Sequence, residues 1–335
     1  MTKPLAEIKP VTGTGRGFSL ALSLLLLSLV SSSALAQTKA YYENGRGASP
    51  VYEGWLNNSD GSFTMMFGYM NDNWEEELNV PIGPNNSISP GAADQGQPTH
   101  FLPRRNRYVF RIRVPADFGN QELVWTLITK EGLTHQAYGS LRKDYGVEPI
   151  TMMSEGGTVG GGANNADDVQ TNTPPEVTLE GAEMRTARVG EPLQLVAIVN
   201  DDDKPNPRGY RESVVSSRQG SGFTEDESPR ERFDKAMRPP IRGTVNRVVG
   251  MYFSWFVYRG KGNVTFEPLQ AKPWEDTRAF QNSAWSPFWV SPEVPEDGRW
   301  EATATFNQPG TYIIRGRADD GGLIDDVEVT VQVSE

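Results

Sequence analysis

Two runs near the C-terminus decide the fold class: ATFNQPGTYIIRGRADDGG at residues 304–322 and DVEVTVQV at residues 326–333. In the second run, a valine stands at every other position from 327 to 333, which is the period of a half-buried strand. Gly and Pro separate the runs and mark turns. Similar short runs, rich in aromatic and β-branched residues, recur along the chain without sustained helical spacing. The sequence therefore predicts an all-β protein built from antiparallel β-sandwiches.

A polar connector divides these runs into two groups. Residues 154–174, SEGGTVGGGANNADDVQTNTP, contain no aromatic residue and are crowded with Gly, Asn and Asp, which is typical of a flexible linker. A structureless stretch of about 20 residues is uncommon inside one compact domain, which favours a linker over a long loop. We predict an N-terminal β-sandwich domain at 37–153 and a C-terminal domain at 175–335. The second domain carries a polar insertion at 204–242 and a Pro- and Trp-rich insertion at 269–299.

The C-terminal runs resemble a known group of domains. VGEPLQLVAIVNDDD, WFVYRGKGNVTFEP, the PGTY turn and DVEVTVQV are together similar to the bacterial PKD-like and related immunoglobulin-like extracellular domains. The resemblance covers residues 175–335 apart from the two insertions. It implies that Trp255 fills the core between the sheets and that Tyr312 is the corner tyrosine that begins the sixth strand. The N-terminal region carries no family motif, and its pattern predicts a second immunoglobulin-like sandwich joined to the first by the Gly-rich linker.

The N-terminus has the pattern of an export signal. Basic residues precede the apolar run FSLALSLLLLSLV at 18–30, and small residues ending in ALA at 34–36 follow it. A membrane-spanning helix needs roughly 20 apolar residues, so this shorter run favours a signal peptide at 1–36, cleaved after Ala36, over an anchor. We therefore expect a periplasmic or secreted protein with no transmembrane segment in the mature chain.

Cysteine content and net charge exclude several kinds of site and partner. The chain has no cysteine, which excludes disulfides and thiolate metal sites and suits a bacterial periplasm or exterior. Loss of residues 1–36 removes three basic residues and one acid and changes the net charge from −11 to −13. Nucleic-acid binding needs a basic face, so we expect no nucleic-acid partner.

Four aspartates are the candidate metal ligands: Asp201, Asp203, Asp319 and Asp320. In an immunoglobulin-like sandwich the second and sixth strands end at the same pole, so acids that follow these two strands are expected to converge there. Calcium takes six to eight oxygen ligands, which carboxylates and loop carbonyls supply. No other cofactor is expected. The alternative is that these aspartates cap turns at strand ends, and the sequence leaves both interpretations open.

Tryptophans of the second insertion are the candidate contacts with a ligand or partner. Trp274, Trp285 and Trp289 lie there, and exposed rings stack on sugars or anchor a protein partner. The alternative is that they cover the sandwich core. The two histidines, His100 and His135, are interpreted as ordinary loop or strand residues.

No catalytic residue is predicted. The chain lacks a G-x-S-x-G turn, a phosphate-binding glycine loop and an H-E-x-x-H helix. We therefore expect a non-enzymatic, exported interaction or structural protein of the cell envelope or extracellular space, with an envelope protein or a glycan as partner. The alternatives are a carbohydrate-binding module or substrate-binding accessory protein and, third, a hydrolase.

Overall fold

The computed structural model describes residues 42–155, 166–204, 228, 230, 250–274 and 293–335. The predicted signal peptide and most of both insertions lie outside the described residues. The chain divides into Met1–Tyr41, which is not described, and one compact unit, Tyr42–Glu335.

The N-terminal part of the compact unit contains two three-stranded antiparallel sheets. Its strands are β1 (Ala48–Asn57), β2 (Phe63–Asn71), β3 (Leu78–Asn79), β4 (Asn86–Ser89), β5 (His100–Phe101), β6 (Arg104–Val114), β7 (Glu122–Ile128) and β8 (Thr134–Ser140). The sheet orders are β1-β2-β6 and β4-β7-β8, and β3 pairs with β5 in a short ribbon. In immunoglobulin lettering these orders are A-B-E and C-F-G, so this region is an immunoglobulin-like sandwich.

The C-terminal part repeats the architecture with two four-stranded sheets. Its strands are β9 (Glu176–Leu179), β10 (Met184–Arg188), β11 (Pro192–Asn200), β12 (Tyr252–Arg259), β13 (Val264–Glu267), β14 (Arg299–Phe306), β15 (Gly310–Asp319) and β16 (Ile324–Ser334). The orders β13-β14-β11-β9 and β10-β16-β15-β12 read D-E-B-A and A′-G-F-C, with β10 parallel to β16 and the other pairs antiparallel. The predicted all-β, immunoglobulin-like fold is therefore confirmed.

The alternation of the sequence explains which face of each strand is buried. Val329, Val331 and Val333 of β16 are buried, while the residues between them face outward. Trp255 on β12 is 2% exposed and lies edge-on to Phe253 in the same core. The Tyr312 hydroxyl donates to the Gln308 carbonyl at 2.9 Å, which is the bond of a tyrosine corner. Both roles implied by the family resemblance are confirmed.

The connector between the sandwiches is partly helical. Helix α1 (Pro149–Glu155) and helix α2 (Ala166–Thr171) flank residues 156–165, which are not described. Met153 of α1 and Val169 of α2 are buried in a small apolar cluster with Met66 of β2 and Leu323 of the β15–β16 turn. The described part of the predicted flexible linker is thus anchored to both sandwiches, because a few apolar residues in a polar stretch supply the contact.

Candidate functional site

The aspartates that follow β11 form a tight turn. Asp201 Oδ2 accepts the amide of Asp203 at 3.0 Å, and Asp203 has a left-handed φ of 58°. Asp202 Oδ1 accepts the amide of Lys204 at 3.1 Å, and its Oδ2 accepts the amide and the hydroxyl of Thr173 at 3.2 and 2.9 Å. Burial, with the neighbouring Asp202 charge, raises the pKa of Asp201 to about 6. These are the hydrogen bonds by which aspartates cap turns.

Asp320 caps the turn after β15 from a buried position. Its carboxylate accepts the amides of Gly322 and Leu323 at 2.5 and 2.6 Å and the Nδ2 group of Asn172 at 3.0 Å. The side chain is 1% exposed. Burial raises the pKa of Asp320 to about 7, although the three donors favour the charged form. A carboxyl group in this setting takes up a proton near neutral pH.

The connector touches both groups of aspartates. Asn172 contacts Asp320, and the next residue, Thr173, contacts Asp202, so the ends of β11 and β15 meet the same short segment at one pole. Asp319 accepts the Tyr252 hydroxyl at 2.6 Å. Among the described residues, no group of three or more His, Cys, Asp or Glu side chains is placed to hold a metal ion. The contacts favour turn capping, and calcium at residues 201, 203, 319 and 320 stays a prediction.

Of the three candidate tryptophans, the structure describes only Trp274. Its side chain is half-buried, and the Lys272 ammonium lies 5.6 Å from the ring centroid, within the range of a cation–π contact. Trp285 and Trp289 lie outside the described residues. The role of these tryptophans as partner contacts therefore stays a prediction.

The outer face of the β12-β15-β16 sheet is covered by the N-terminal sandwich. We call this contact the seam: Tyr258, Arg259 and Arg315 on one side and Asp94, Gly96 and Val109 on the other. The Arg315 guanidinium lies 3.4 Å from the Tyr258 ring centroid and donates to the Val109 carbonyl. The Tyr258 hydroxyl donates to the Gly96 carbonyl, and burial raises its pKa to about 12, so it remains a donor at neutral pH.

A bidentate ion pair between Arg259 and Asp94 lies at one end of the seam. Arg259 donates to both carboxylate oxygens of Asp94 at 2.9 and 2.8 Å and to the Gln97 carbonyl at 3.0 and 2.6 Å. The hydrogen bonds from Arg259 hold the pKa of Asp94 below its usual range. This geometry is the strong, orientation-fixing form of a charge-assisted bond.

Behind the seam, charged side chains pair between neighbouring strands. Arg317 binds both oxygens of Asp326 at 2.7 and 2.9 Å, and Arg315 binds Glu328. Burial alone would raise the pKa of Asp326, but Arg317 and Arg315 hold it below its usual value. Both arginines are buried. A buried charge without its partner destabilises the fold, so each of these arginines needs its acidic partner once the N-terminal sandwich covers the sheet.

The seam was not predicted from the sequence, although one signal of it is present. Arg315 and Arg317 occupy outward positions of β15, where charged residues suggest a solvated face. The neighbouring positions on β12, Phe256 and Tyr258, are aromatic, and aromatic residues beside arginines are typical of covered surfaces.

Comparisons with known proteins show no family. No family model matches the chain, and no curated protein matches it. Among solved structures, the chain is 8% identical to the N-terminal eight immunoglobulin domains of Down syndrome cell adhesion molecule, over 86% of this chain and 27% of that one, with a TM-score of 0.22.

Two further structures are similar to the same extent. A chimeric titin Z1Z2 is 9% identical over 87% of this chain and 100% of that chain, with a TM-score of 0.21. The Yersinia pseudotuberculosis adhesin InvE is 9% identical over 85% of this chain and 58% of that chain, with a TM-score of 0.21. Likenesses this low do not bear on activity or partners, and the immunoglobulin-like assignment rests on strand order. Within the described ranges, no helix has the length and apolar character to cross a membrane.

Proposed function

We propose that the chain is an exported interaction or structural protein of the cell envelope or extracellular space, in which two immunoglobulin-like sandwiches act as one stiff unit. The observation that carries this proposal is the seam. Contacts between domains of one chain are by default small and polar and permit relative motion. Here buried Arg315 donates to the Val109 carbonyl and buried Tyr258 donates to the Gly96 carbonyl across the contact, and the Arg259–Asp94 pair adds a fixed orientation.

Stiffness suits a protein that holds other molecules at a defined separation. The buried cluster of Met153, Val169 and Leu323 gives the two sandwiches a second fixed contact beside the seam. Two fixed contacts keep the loops of one sandwich at a constant distance and orientation from the loops of the other. Such a unit binds a partner, or spaces two partners, without paying the entropy of ordering its own domains.

Export is supported by the sequence of the N-terminal segment, and the partner by overall charge. The basic, apolar and small-residue order of residues 1–36 is that of a signal peptide. The acidic mature chain fits an envelope protein or glycan better than a nucleic acid. No enzymatic activity is proposed, and the closer resemblance to PKD-like domains remains a prediction. The exposed aromatic side chains among the described residues are Tyr42, Tyr138 and Tyr145.

The stiffness is tested by measuring one distance across the seam. Because the chain has no cysteine, Asp117→Cys and Glu191→Cys introduce the two positions for spin labels, both exposed and one on each sandwich. Pulsed electron paramagnetic resonance should give one narrow distance distribution. A matched sample with Asp94→Asn and Arg259→Gln should give a broader one. A broad distribution in the unaltered seam would contradict the proposal.

The location is tested separately by cell fractionation of the producing organism. The protein should be recovered in the periplasmic or extracellular fraction, and a protein confined to the cytosol would contradict export. A binding partner is then sought in the same envelope fraction after crosslinking, with the seam-weakened variant as the control. Loss of the partner on weakening the seam would show that the fixed arrangement is what the partner binds.

A further inference from the structure

An uncharged surface forms the outer face of the β4-β7-β8 sheet. The alternation that buries Leu123, Trp125 and Leu127 of β7 turns the residues between them outward. Strand pairing places those residues beside outward residues of β4 and β8. We call this surface the neutral face, and its residues are Ser87, Ser89, Val124, Thr126, Ile128, Thr134, Gln136 and Tyr138. All eight are uncharged in a chain in which 22% of residues are charged, so an ionic partner gains no ion pair from them.

One aromatic ring on the neutral face is held in place by hydrogen bonds. Tyr138 is 52% exposed, and its hydroxyl donates to Gln136 Oε1 at 2.8 Å. The Gln136 amide group in turn donates to the Thr126 hydroxyl on the neighbouring strand at 3.1 Å. Strand side chains ordinarily stand away from the sheet, so a bond between residues two apart requires Tyr138 and Gln136 to lean towards each other along β8. The ring is therefore ordered while about half of its surface stays in water.

The groups on the neutral face match the chemistry of an uncharged sugar. A sugar ring has an apolar C–H side, which packs on an exposed aromatic ring because both surfaces leave water on contact. The hydroxyls of Ser87, Ser89 and Thr134 both donate and accept hydrogen bonds, so they can pair with sugar hydroxyls in either direction. Because Tyr138 is already ordered by Gln136, binding avoids the loss of entropy that ordering an exposed side chain would bring.

The size of the neutral face fits a single extended sugar chain better than a protein. The seven residues of β7, at about 3.4 Å each, and three strands about 4.8 Å apart give roughly 24 Å by about 14 Å, or about 340 Å². A stable contact between proteins, including one between two copies of this chain, buries about 800 Å² on each partner. A long, narrow and uncharged face matches a linear, uncharged polymer with hydroxyl groups.

We propose that the neutral face binds a neutral, extended polysaccharide. One sugar ring packs on Tyr138, and its neighbours along the chain form hydrogen bonds with the side chains of Gln136 and Thr134. This inference rests on the proposed interaction role of the exported chain, and it gives the partner a chemical class and a place. All eight residues lie in the N-terminal sandwich and none belongs to the seam, so binding does not depend on the seam.

Three soluble oligosaccharides test the proposal by isothermal titration calorimetry with the whole protein. Cellohexaose and N-acetylchitohexaose are neutral and extended, whereas hexagalacturonate has the same number of sugars and a negative charge on each. We expect saturable binding of at least one neutral hexamer at millimolar concentration or below. Hexagalacturonate should bind at least about tenfold more weakly, a loss of about 1.4 kcal/mol, because the neutral face offers it no ion pair and the chain is acidic.

Tyrosine variants locate the site. Tyr138→Ala removes the ring and should weaken binding of the neutral hexamer at least about tenfold. Tyr42→Ala is the matched control, because Tyr42 is also exposed but precedes β1 and lies outside the neutral face; it should bind as the unaltered protein does. Gln136→Ala keeps the ring but removes the bond that orders it, and it should weaken binding by less than Tyr138→Ala does. Circular dichroism confirms that each variant folds.

The remaining outcomes overturn the proposal. No saturable binding of either neutral hexamer, or equal weakening by Tyr138→Ala and Tyr42→Ala, would show that the neutral face does not hold a sugar chain. Equal affinity for hexagalacturonate would remove the role of neutrality. Self-association in analytical ultracentrifugation that Tyr138→Ala abolishes would assign the face to a second copy of the chain. The proposed stiff unit fails separately, because Asp94→Asn with Arg259→Gln should broaden the distance distribution and leave sugar binding unchanged.

Discussion

Replacing Asp320 by asparagine should flatten the dependence of stability on pH. Asp320 is buried at the turn after β15, and burial raises its pKa from 3.8 to about 7. The folded protein therefore keeps this proton to a higher pH than the unfolded chain does. The stabilisation is fully present below pH 3.8, the pKa of an unperturbed aspartate, and is lost as the pH rises through about 7.

The two pKa values set the size of the effect. Between about pH 5 and about pH 8, this one carboxyl group should lower the free energy of unfolding by about 2.5 kcal/mol. Asparagine has no proton to lose, and its side-chain oxygen still accepts the amides of Gly322 and Leu323, so Asp320→Asn should lose this part of the slope.

The assay is urea unfolding at the two pH values, followed by tryptophan fluorescence. The quantity compared is the change in unfolding free energy between the two pH values, so a general loss of stability in the variant does not affect it. Asp117→Asn, an exposed carboxyl on the other sandwich, is the control and should behave as the unaltered protein. If the unfolding free energies of Asp320→Asn and of the unaltered protein change by the same amount between the two pH values, within about 0.5 kcal/mol, the assignment of this titration to Asp320 is wrong.

Three other predictions concern the core, the pole and the N-terminus. Trp255→Ala should cost about 3–5 kcal/mol by denaturant unfolding, because it removes a buried ring, and a cost under about 1 kcal/mol would place that ring at the surface. Millimolar calcium should leave the Tm of chelator-treated protein unchanged, because the carboxylates of Asp201, Asp319 and Asp320 already accept hydrogen bonds from amide and hydroxyl groups. A rise in Tm that Asp201→Asn with Asp319→Asn abolishes would instead support calcium. Intact mass of the exported protein should show loss of residues 1–36, and a retained Met1 would contradict cleavage.

The sequence was sufficient to predict the all-β, immunoglobulin-like fold because its signals are local. A pattern of about eight residues predicts a strand, as the alternating valines of β16 do, and Gly and Pro predict the turns. Trp255 and Tyr312 were placed correctly because their roles depend on position within one domain pattern.

The seam could not be predicted because its contacts join residues far apart in the chain. Arg259 and Asp94 are separated by 165 residues, and Arg315 and Val109 by 206. In the sequence, Arg315 and Arg317 have the spacing of a solvated strand face, and only the docked sandwich makes them buried. The helical connector was missed for a related reason, since Val169 is one apolar residue in a polar stretch and its burial depends on Met153 and Leu323.

Tyr258 has a consequence for how the chain comes together during synthesis. It belongs to the C-terminal sandwich, yet it is packed into the apolar core of the N-terminal one, with Ile313 against the same cluster. The first sandwich to emerge from the ribosome, or from a secretion channel, is therefore incomplete until strands synthesised much later reach it. Expressed alone, the N-terminal sandwich would lack the Tyr258 ring in its core. The C-terminal sandwich alone would expose Tyr258, Arg259 and Arg315 to solvent. The two sandwiches should unfold in a single transition, and a chain truncated between them should not yield a stably folded fragment.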